Sequence, residues 1–213
     1  DGESLSGLGA GKAITVSGAE DVSIRLGEQA DTFAVTKTAS DTNVTVNAGD
    51  AADTIYVGTD GTLQGSSQLS SIEGLLVIDG GDFDDLDTLY IDDSKSSASS
   101  NITIANNLGD PISLQDGETW YRDTTTVERE NSASIRYSRV EVAVLSTGTG
   151  ADTVALEASH REQAVESGSG NSLFIVNLGD GNDSISIGSA GSLSGFNIVN
   201  DKADAARGVP IYV

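Results

Sequence analysis

The sequence of 213 residues predicts an all-β fold, more narrowly a parallel β-helix (β-solenoid) with irregular coils. Three observations predict it: apolar and polar residues alternate in short runs, these runs flank turns in which Gly precedes Asp, and this unit recurs along the chain. Helical periodicity is almost absent, and only 156–166 could form a short helix. A β-sandwich with antiparallel hairpins is the alternative, because alternation does not distinguish parallel from antiparallel pairing.

The repeated unit consists of two predicted strands around a Gly-to-Asp turn, and it occurs five times. Four copies place the Gly four residues before the Asp, and the copy at 75–91 has two additional residues in its turn. In every copy the Asp is followed by Thr or Ser and then by an apolar residue. The five motif acids are Asp31, Asp53, Asp87, Asp152 and Asp183.

The flanks of these turns are the predicted strands, because their apolar residues recur with a period of two. Taken along the chain, the residues of this pattern are Val22, Ile24, Leu26, Phe33, Val35, Ile55, Val57, Leu89, Ile91, Val154, Leu156, Ile185 and Ile187. The motif acids follow one another at steps of 22, 34, 65 and 31 residues. Steps near 30 are typical of coils with about three short strands each, and we interpret the step of 65 as two coils, one without an Asp turn.

We expect a single domain over 1–213 that is excised from, or continues into, a larger repeat protein, because the chain begins without Met. The segment 106–140 is expected to be an irregular insertion or an atypical coil. The ends of a solenoid expose strand edges that must be capped or paired. Neighbouring domains of the same protein, or like modules placed end to end, are therefore the expected partners.

The composition excludes several classes of protein. Lys and Arg number 11 against 33 Asp and Glu, a formal charge of -22, so no basic surface is available for nucleic acid. No apolar run reaches the roughly 20 residues that a membrane helix needs, so membrane insertion is not expected. Without Cys, and with His160 as the single histidine, thiolate sites and histidine-rich zinc sites are excluded.

The acids beside Gly are candidate ligands for Ca²⁺, which takes 6–8 oxygen ligands from carboxylates, carbonyls and water. The candidates lie in three turns: Asp79, Asp82, Asp84, Asp85, Asp87 and Asp92 in 79–93, Asp50 and Asp53 in 47–53, and Asp180, Asn182 and Asp183 in 180–183. An Asp in a turn can also simply accept a backbone hydrogen bond. We favour this second interpretation for Asp31 and Asp152, which have no second Asp in their own turns.

The motifs LGDGNDSISI and STGTGADTVAL resemble the hemolysin-type (RTX-like) calcium-binding repeat of secreted bacterial proteins. The segment VIDGGDFDDLDTLYIDDS is similar to the degenerate repeats of very large surface and adhesion proteins. The resemblance implies bound calcium, a secreted or cell-surface location, and a structural or adhesive role without catalysis. Because the turns here are not tandem nonapeptides, the ion ladder of the toxins is not carried over intact.

Catalysis by a β-helix polysaccharide lyase, or carbohydrate binding, is the alternative function. It rests on the Arg and aromatic residues of 120–139, since Arg can act as a base beside bound calcium and aromatic rings stack on sugars. The residues concerned are Trp120, Tyr121, Arg122, Arg129, Arg136, Tyr137 and Arg139, with Arg161 beyond them. The common nucleophile and phosphate-binding motifs are absent from the sequence.

Overall fold

The structure, a computed structural model, describes residues 3–5, 14–16, 18–59, 67–81, 85–113, 119–130, 132–157 and 173–188. These residues form an all-β fold without an α-helix, and their one helical turn is a 3₁₀ turn at Leu69–Ser71. Leu156, where the short helix was expected to begin, ends a strand, and residues 158–166 lie outside the described ranges. None of the described residues forms a helix long and apolar enough to cross a membrane.

The described residues contain fifteen strands, most of them three to five residues long. In chain order they are β1 (Glu3–Leu5), β2 (Ile14–Val16), β3 (Asp21–Arg25), β4 (Thr32–Val35), β5 (Asn43–Asn47), β6 (Thr54–Val57), β7 (Leu76–Asp79), β8 (Thr88–Asp92), β9 (Asn101–Ser113), β10 (Thr119–Arg129), β11 (Ile135–Ser138), β12 (Val142–Ser146), β13 (Thr153–Leu156), β14 (Leu173–Asn177) and β15 (Ser184–Ile187). All predicted flanking strands are present, with their apolar residues in or directly beside them.

Two sheets of mostly parallel strands make up the fold. The eight-stranded sheet has the order β15-β13-β9-β10-β11-β7-β5-β3, and the five-stranded sheet has the order β14-β12-β8-β6-β4. From β3 to β8 the chain alternates between the sheets, so each strand pairs in parallel with the strand two elements later. Val44 of β5, for example, lies between Val22 of β3 and Leu76 of β7. The all-β class is confirmed, and the pairing is mostly parallel.

Antiparallel pairing is confined to two places in the described part of the chain. β1 pairs with β2 in a separate sheet, and β10 lies antiparallel between β9 and β11. The second place falls largely inside 106–140, the expected insertion. The additional strands stand between β8 and β12, and they account for the long step from Asp87 to Asp152.

Apolar side chains from both sheets meet in one core. Successive residues of a strand point to opposite faces, so parallel in-register strands place aliphatic side chains in rows. In the middle of these rows, Val46, Ile78, Ile91 and Leu145 have no exposed surface. Tyr137 of β11 is the largest fully buried side chain among the described residues.

The core is less complete at its two ends. Six apolar residues that pack against it remain only partly buried, and all lie at or beside β3, β14 and β15: Val22, Leu26, Phe174, Leu178, Ile185 and Ile187. These three strands are also the outermost strands of their sheets. Described residues therefore leave the apolar rows partly uncovered at both ends of the stack.

Candidate functional site

The turns that carry the motif acids lie at two different connections between the sheets. Asp31, Asp53 and Asp87 stand directly before β4, β6 and β8, where the chain passes from the eight-stranded to the five-stranded sheet. Asp152 and Asp183 stand directly before β13 and β15, where the chain passes in the other direction. Because the following strands pair in register, the motif acids at each connection lie one above the other.

Backbone amides bind the acids of the first connection in a regular row. The amide of Asp31 donates to Oδ1 of Asp53 (2.7 Å), and the amide of Asp53 donates to Oδ1 of Asp87 (2.8 Å). The amide of Asp87 donates to Oε2 of Glu141 at 2.7 Å. Asp53, Asp87 and Glu141 therefore each accept a hydrogen bond from the equivalent residue of the repeat before, and Asp31 provides the first amide. We call Asp31, Asp53, Asp87 and Glu141 the first acid row.

Glu141 is the member of this row that the sequence pattern did not reveal. It precedes β12 as Asp87 precedes β8, and the next residues, Val142 and Thr88, are direct partners in the sheet. The repeated motif consists of Gly, Asp and then Thr or Ser, and the turn at Glu141 contains none of these residues. An acid directly before an alternating apolar run was the remaining signal.

The second connection repeats this geometry with different residues. The amide of Ser100 donates to Oδ1 of Asp152 (2.7 Å), and the amide of Asp152 donates to Oδ1 of Asp183 (2.9 Å). We call Asp152 and Asp183, with Ser100 as the first amide donor, the second acid row. Asp31 and Asp152, for which a backbone-bonded role was favoured, both belong to such rows; Asp31 Oδ2 in addition accepts from the amide of Gly27 at 3.0 Å.

Glycine in the turns allows the backbones to stack closely. Gly81 has φ of 117°, and a Cβ atom there would overlap the carbonyl oxygen of Gly49 in the turn below. Only glycine avoids both the unfavourable conformation and the overlap. Contact between turns thus explains the motif glycines Gly49, Gly81, Gly148 and Gly179, but not Gly27, where a Cβ atom would have ordinary contacts only.

Most of the row acids are buried, whereas Asp31 and Asp183 are partly buried, and the charge of the buried acids is poorly compensated. Asp53, Asp87 and Asp152 are 1–2% exposed, and the Oδ2 atom of each has no hydrogen-bond partner among the described residues. Burial raises the pKa of Asp87 to about 7; the amide of Asp53 opposes this, while the carboxylates of Glu141, Asp53 and Asp85 add to it. Burial likewise raises the pKa of Asp53.

The acids of 79–93 have separate partners instead of a common centre. Asp79 accepts from Nε of Arg139 at 2.6 Å and also from its Nη2. Asp85 accepts from the amide of Ala51 at 2.6 Å, and Asp92 from the amide of Ser94 at 2.9 Å. Asp82 and Asp84 lie outside the described residues.

The other candidate ligands are exposed. Asp50 lies in the turn between β5 and β6, and Asp180 and Asn182 lie in the turn between β14 and β15. Across the described ranges, no three or more acidic or histidine side chains are grouped so that they could hold a metal ion. The turns therefore contain two kinds of acid: buried acids bound to backbone amides, and exposed acids on the outside.

The Arg and aromatic residues of 120–139 are also dispersed. Tyr137 is buried in the core, and Arg139 is paired with Asp79. Arg129 lies 3.7 Å from Asp93 and borders a polar cleft of about 470 Å³ whose lining is mainly serine and includes no aromatic ring. The side chains of Trp120, Tyr121 and Arg122, and all of His160 and Arg161, fall outside the described part.

No protein-family model, no curated protein and no solved structure matches the chain. Function is therefore argued from the sequence and from the geometry above.

Proposed function

We propose that the chain is a non-enzymatic β-solenoid module of a secreted or cell-surface protein with a structural or adhesive role. The observation that carries the proposal is the stack of parallel, in-register strands that alternate between two sheets over β3 to β8. Each repeat contacts mainly its neighbours in such a stack, which is the organisation of solenoid proteins. A stack of this kind transmits load along its length through many equivalent backbone hydrogen bonds.

The ends of the stack support partners that are neighbouring modules. Among the described residues, the apolar side chains at β3, β14 and β15 are only partly buried. Solenoids require capping units or further repeats at such positions. We therefore propose that modules of the same protein, or like modules, continue the stack end to end.

Calcium is part of the proposal, with ions bridging acids of adjacent turns on the outside of the molecule. The exposed acids Asp50, in the turn between β5 and β6, and Asp180, with Asn182 in the turn between β14 and β15, offer oxygen ligands on the surface. The formal charge of -22 favours cation binding, since closely placed carboxylates repel one another. The resemblance to calcium-binding repeats of secreted proteins supports the same proposal.

Single-molecule pulling tests the solenoid part of this function. A stack of weakly coupled repeats should lengthen in several steps of roughly 70–120 Å, since repeats of 22 to 34 residues extend by about 3.3–3.6 Å per residue. One abrupt extension of the whole chain would contradict the solenoid part.

Release of unsaturated products from a panel of acidic polysaccharides would contradict the non-enzymatic part of the proposal.

Melting curves in millimolar Ca²⁺ and in excess EGTA, with Mg²⁺ as a control, test the calcium part. Binding to the native state at 100 times Kd adds about 2.7 kcal/mol to the free energy of unfolding. We expect a calcium-specific rise in Tm, and we expect the substitution D180N, at an exposed acid, to reduce that rise. An unchanged melting temperature in calcium would remove the ions from the proposal.

A further inference from the structure

The motif acids, which the resemblance implicates in calcium binding, are already engaged in hydrogen bonds between repeats. In the first acid row, Oδ1 of Asp53 and Oδ1 of Asp87 each accept a hydrogen bond from a backbone amide at 2.7–2.8 Å. In the second acid row, Asp183 accepts the amide of Asp152 at 2.9 Å. Each amide presents a partial positive charge to the carboxylate oxygen that it contacts. A bridging cation in a calcium repeat would stabilise the carboxylate charge in the same way.

The surroundings of these acids do not fit calcium. A calcium ion needs 6–8 oxygens at 2.3–2.6 Å, part of them commonly from water. Asp53 and Asp87 are only 1–2% exposed, so water has little access to them. The neighbours in the row also bring carboxylates, but Oδ1 of Asp53 and of Asp87 already accepts an N–H group, which repels a cation. Among the described residues no suitable group of three acids is formed.

Asp79, the first acid of the 79–93 segment, has a cation of its own. Nε and Nη2 of Arg139 bind its two carboxylate oxygens, and both side chains are about one-tenth exposed. Arg139 holds this position with φ of 54°, a left-handed conformation that is uncommon for residues other than glycine. The guanidinium thus binds the carboxylate that the sequence predicted as a ligand of a metal ion.

We infer that backbone amides and the Arg139 guanidinium take the place of calcium in the interior of this stack. Asp53 and Asp87, which are buried, Asp183, which is partly buried, and Asp79 act as acceptors that join neighbouring repeats without a metal. This inference rests on the proposed solenoid function, and it restricts the calcium of that function to the exposed acids.

Two substitutions at Asp87 separate an amide acceptor from a metal ligand. D87N keeps an oxygen for the amide of Asp53 but removes the charge that calcium would require. D87A removes the oxygen and leaves a buried N–H without a partner, which is destabilising. In EGTA we expect D87N to melt within about 2 °C of the wild-type chain or above it, and D87A to melt at least about 3 °C lower.

The same variants measured in calcium complete the test. We expect D87N to keep the whole calcium-dependent rise in Tm of the wild-type chain, and D180N to lose part of it. Loss of the rise in D87N, or equal melting of D87N and D87A in EGTA, would overturn the inference. If the wild-type chain shows no rise at all, the calcium part of the proposed function fails, while the contrast in EGTA still decides the role of Asp87.

Discussion

Asp87 lies close to three other carboxylates, those of Asp53, Asp85 and Glu141, and no basic side chain contributes to its pKa. The amide of Asp53 is the compensating partner of its Oδ1 atom. Burial further disfavours the charged form. The ionised form of this residue therefore opposes folding, and the protonated form does not.

We predict that the stability of the calcium-free chain falls as the pH rises from 4 to 8. The pKa of Asp87 is raised from 3.8 to about 7 in the folded state. Its contribution is fully present below about pH 3.8 and is lost as the pH rises through about 7, a change of up to roughly 4 kcal/mol in the free energy of unfolding. Urea unfolding over this range should show a shallower pH dependence for D87N than for the wild-type chain. Parallel curves for the two proteins would refute the prediction.

The pair of Arg139 and Asp79 yields a second prediction at the residue scale. Removing one member of a buried ion pair leaves an uncompensated charge, and we expect R139M to lower the free energy of unfolding by about 3 kcal/mol. The double variant D79N/R139M should recover part of that loss, because the isolated carboxylate is gone. A double-mutant cycle by urea unfolding measures the coupling, and additive losses would show that the pair is not coupled.

The sequence predicts single residues where a local pattern positions them. Asp53 and Asp87 were expected in turns before strands, and they are there. Their acceptor role was not specified, because the donating amides come from residues 22 and 34 positions earlier. The pairing of Asp79 with Arg139 spans 60 residues, so it depends on how the repeats stack. No local sequence pattern predicts it.

The turn glycines belong to the scale of the element, since they determine how closely two repeats approach. We predict that G81A lowers the free energy of unfolding by about 3 kcal/mol, because φ of 117° and the carbonyl of Gly49 both exclude a side chain. Gly18 is the matched control: its φ is 69°, and nothing lies within 4 Å of a Cβ atom there. G18A should cost only about 1 kcal/mol. Equal losses in urea unfolding would show that contact between turns is unimportant.

Strands beside the Asp turns were predictable, because period-two alternation and glycine turns are local signals. The antiparallel β10 was not, since its pairing with β9 and β11 depends on which edges are free when the chain returns. Alternation is identical in parallel and antiparallel strands. Residue spacing predicted two coils between Asp87 and Asp152, whereas the two acids lie at different connections and β9 and β10 pair antiparallel within that step.

Burial across the whole molecule is uneven and predicts a gradient of local stability. Inward residues of β6 and β8 are almost completely buried, whereas those of β15 are only partly buried. Local opening is easier where fewer apolar contacts must be lost. We expect backbone amides of β6 and β8 to exchange with deuterium much more slowly than those of β15 in native-state exchange. Uniform protection across these strands would contradict a stack of weakly coupled repeats.

In both acid rows the amide of an earlier repeat donates to the acid of a later one. A chain made or exported amino terminus first therefore exposes, at its newest repeat, amides that await a partner. The next repeat supplies the carboxylate that accepts from these amides, and it thereby stabilises the repeat before it. Folding can then advance with the chain, one repeat at a time, in the order in which the residues emerge.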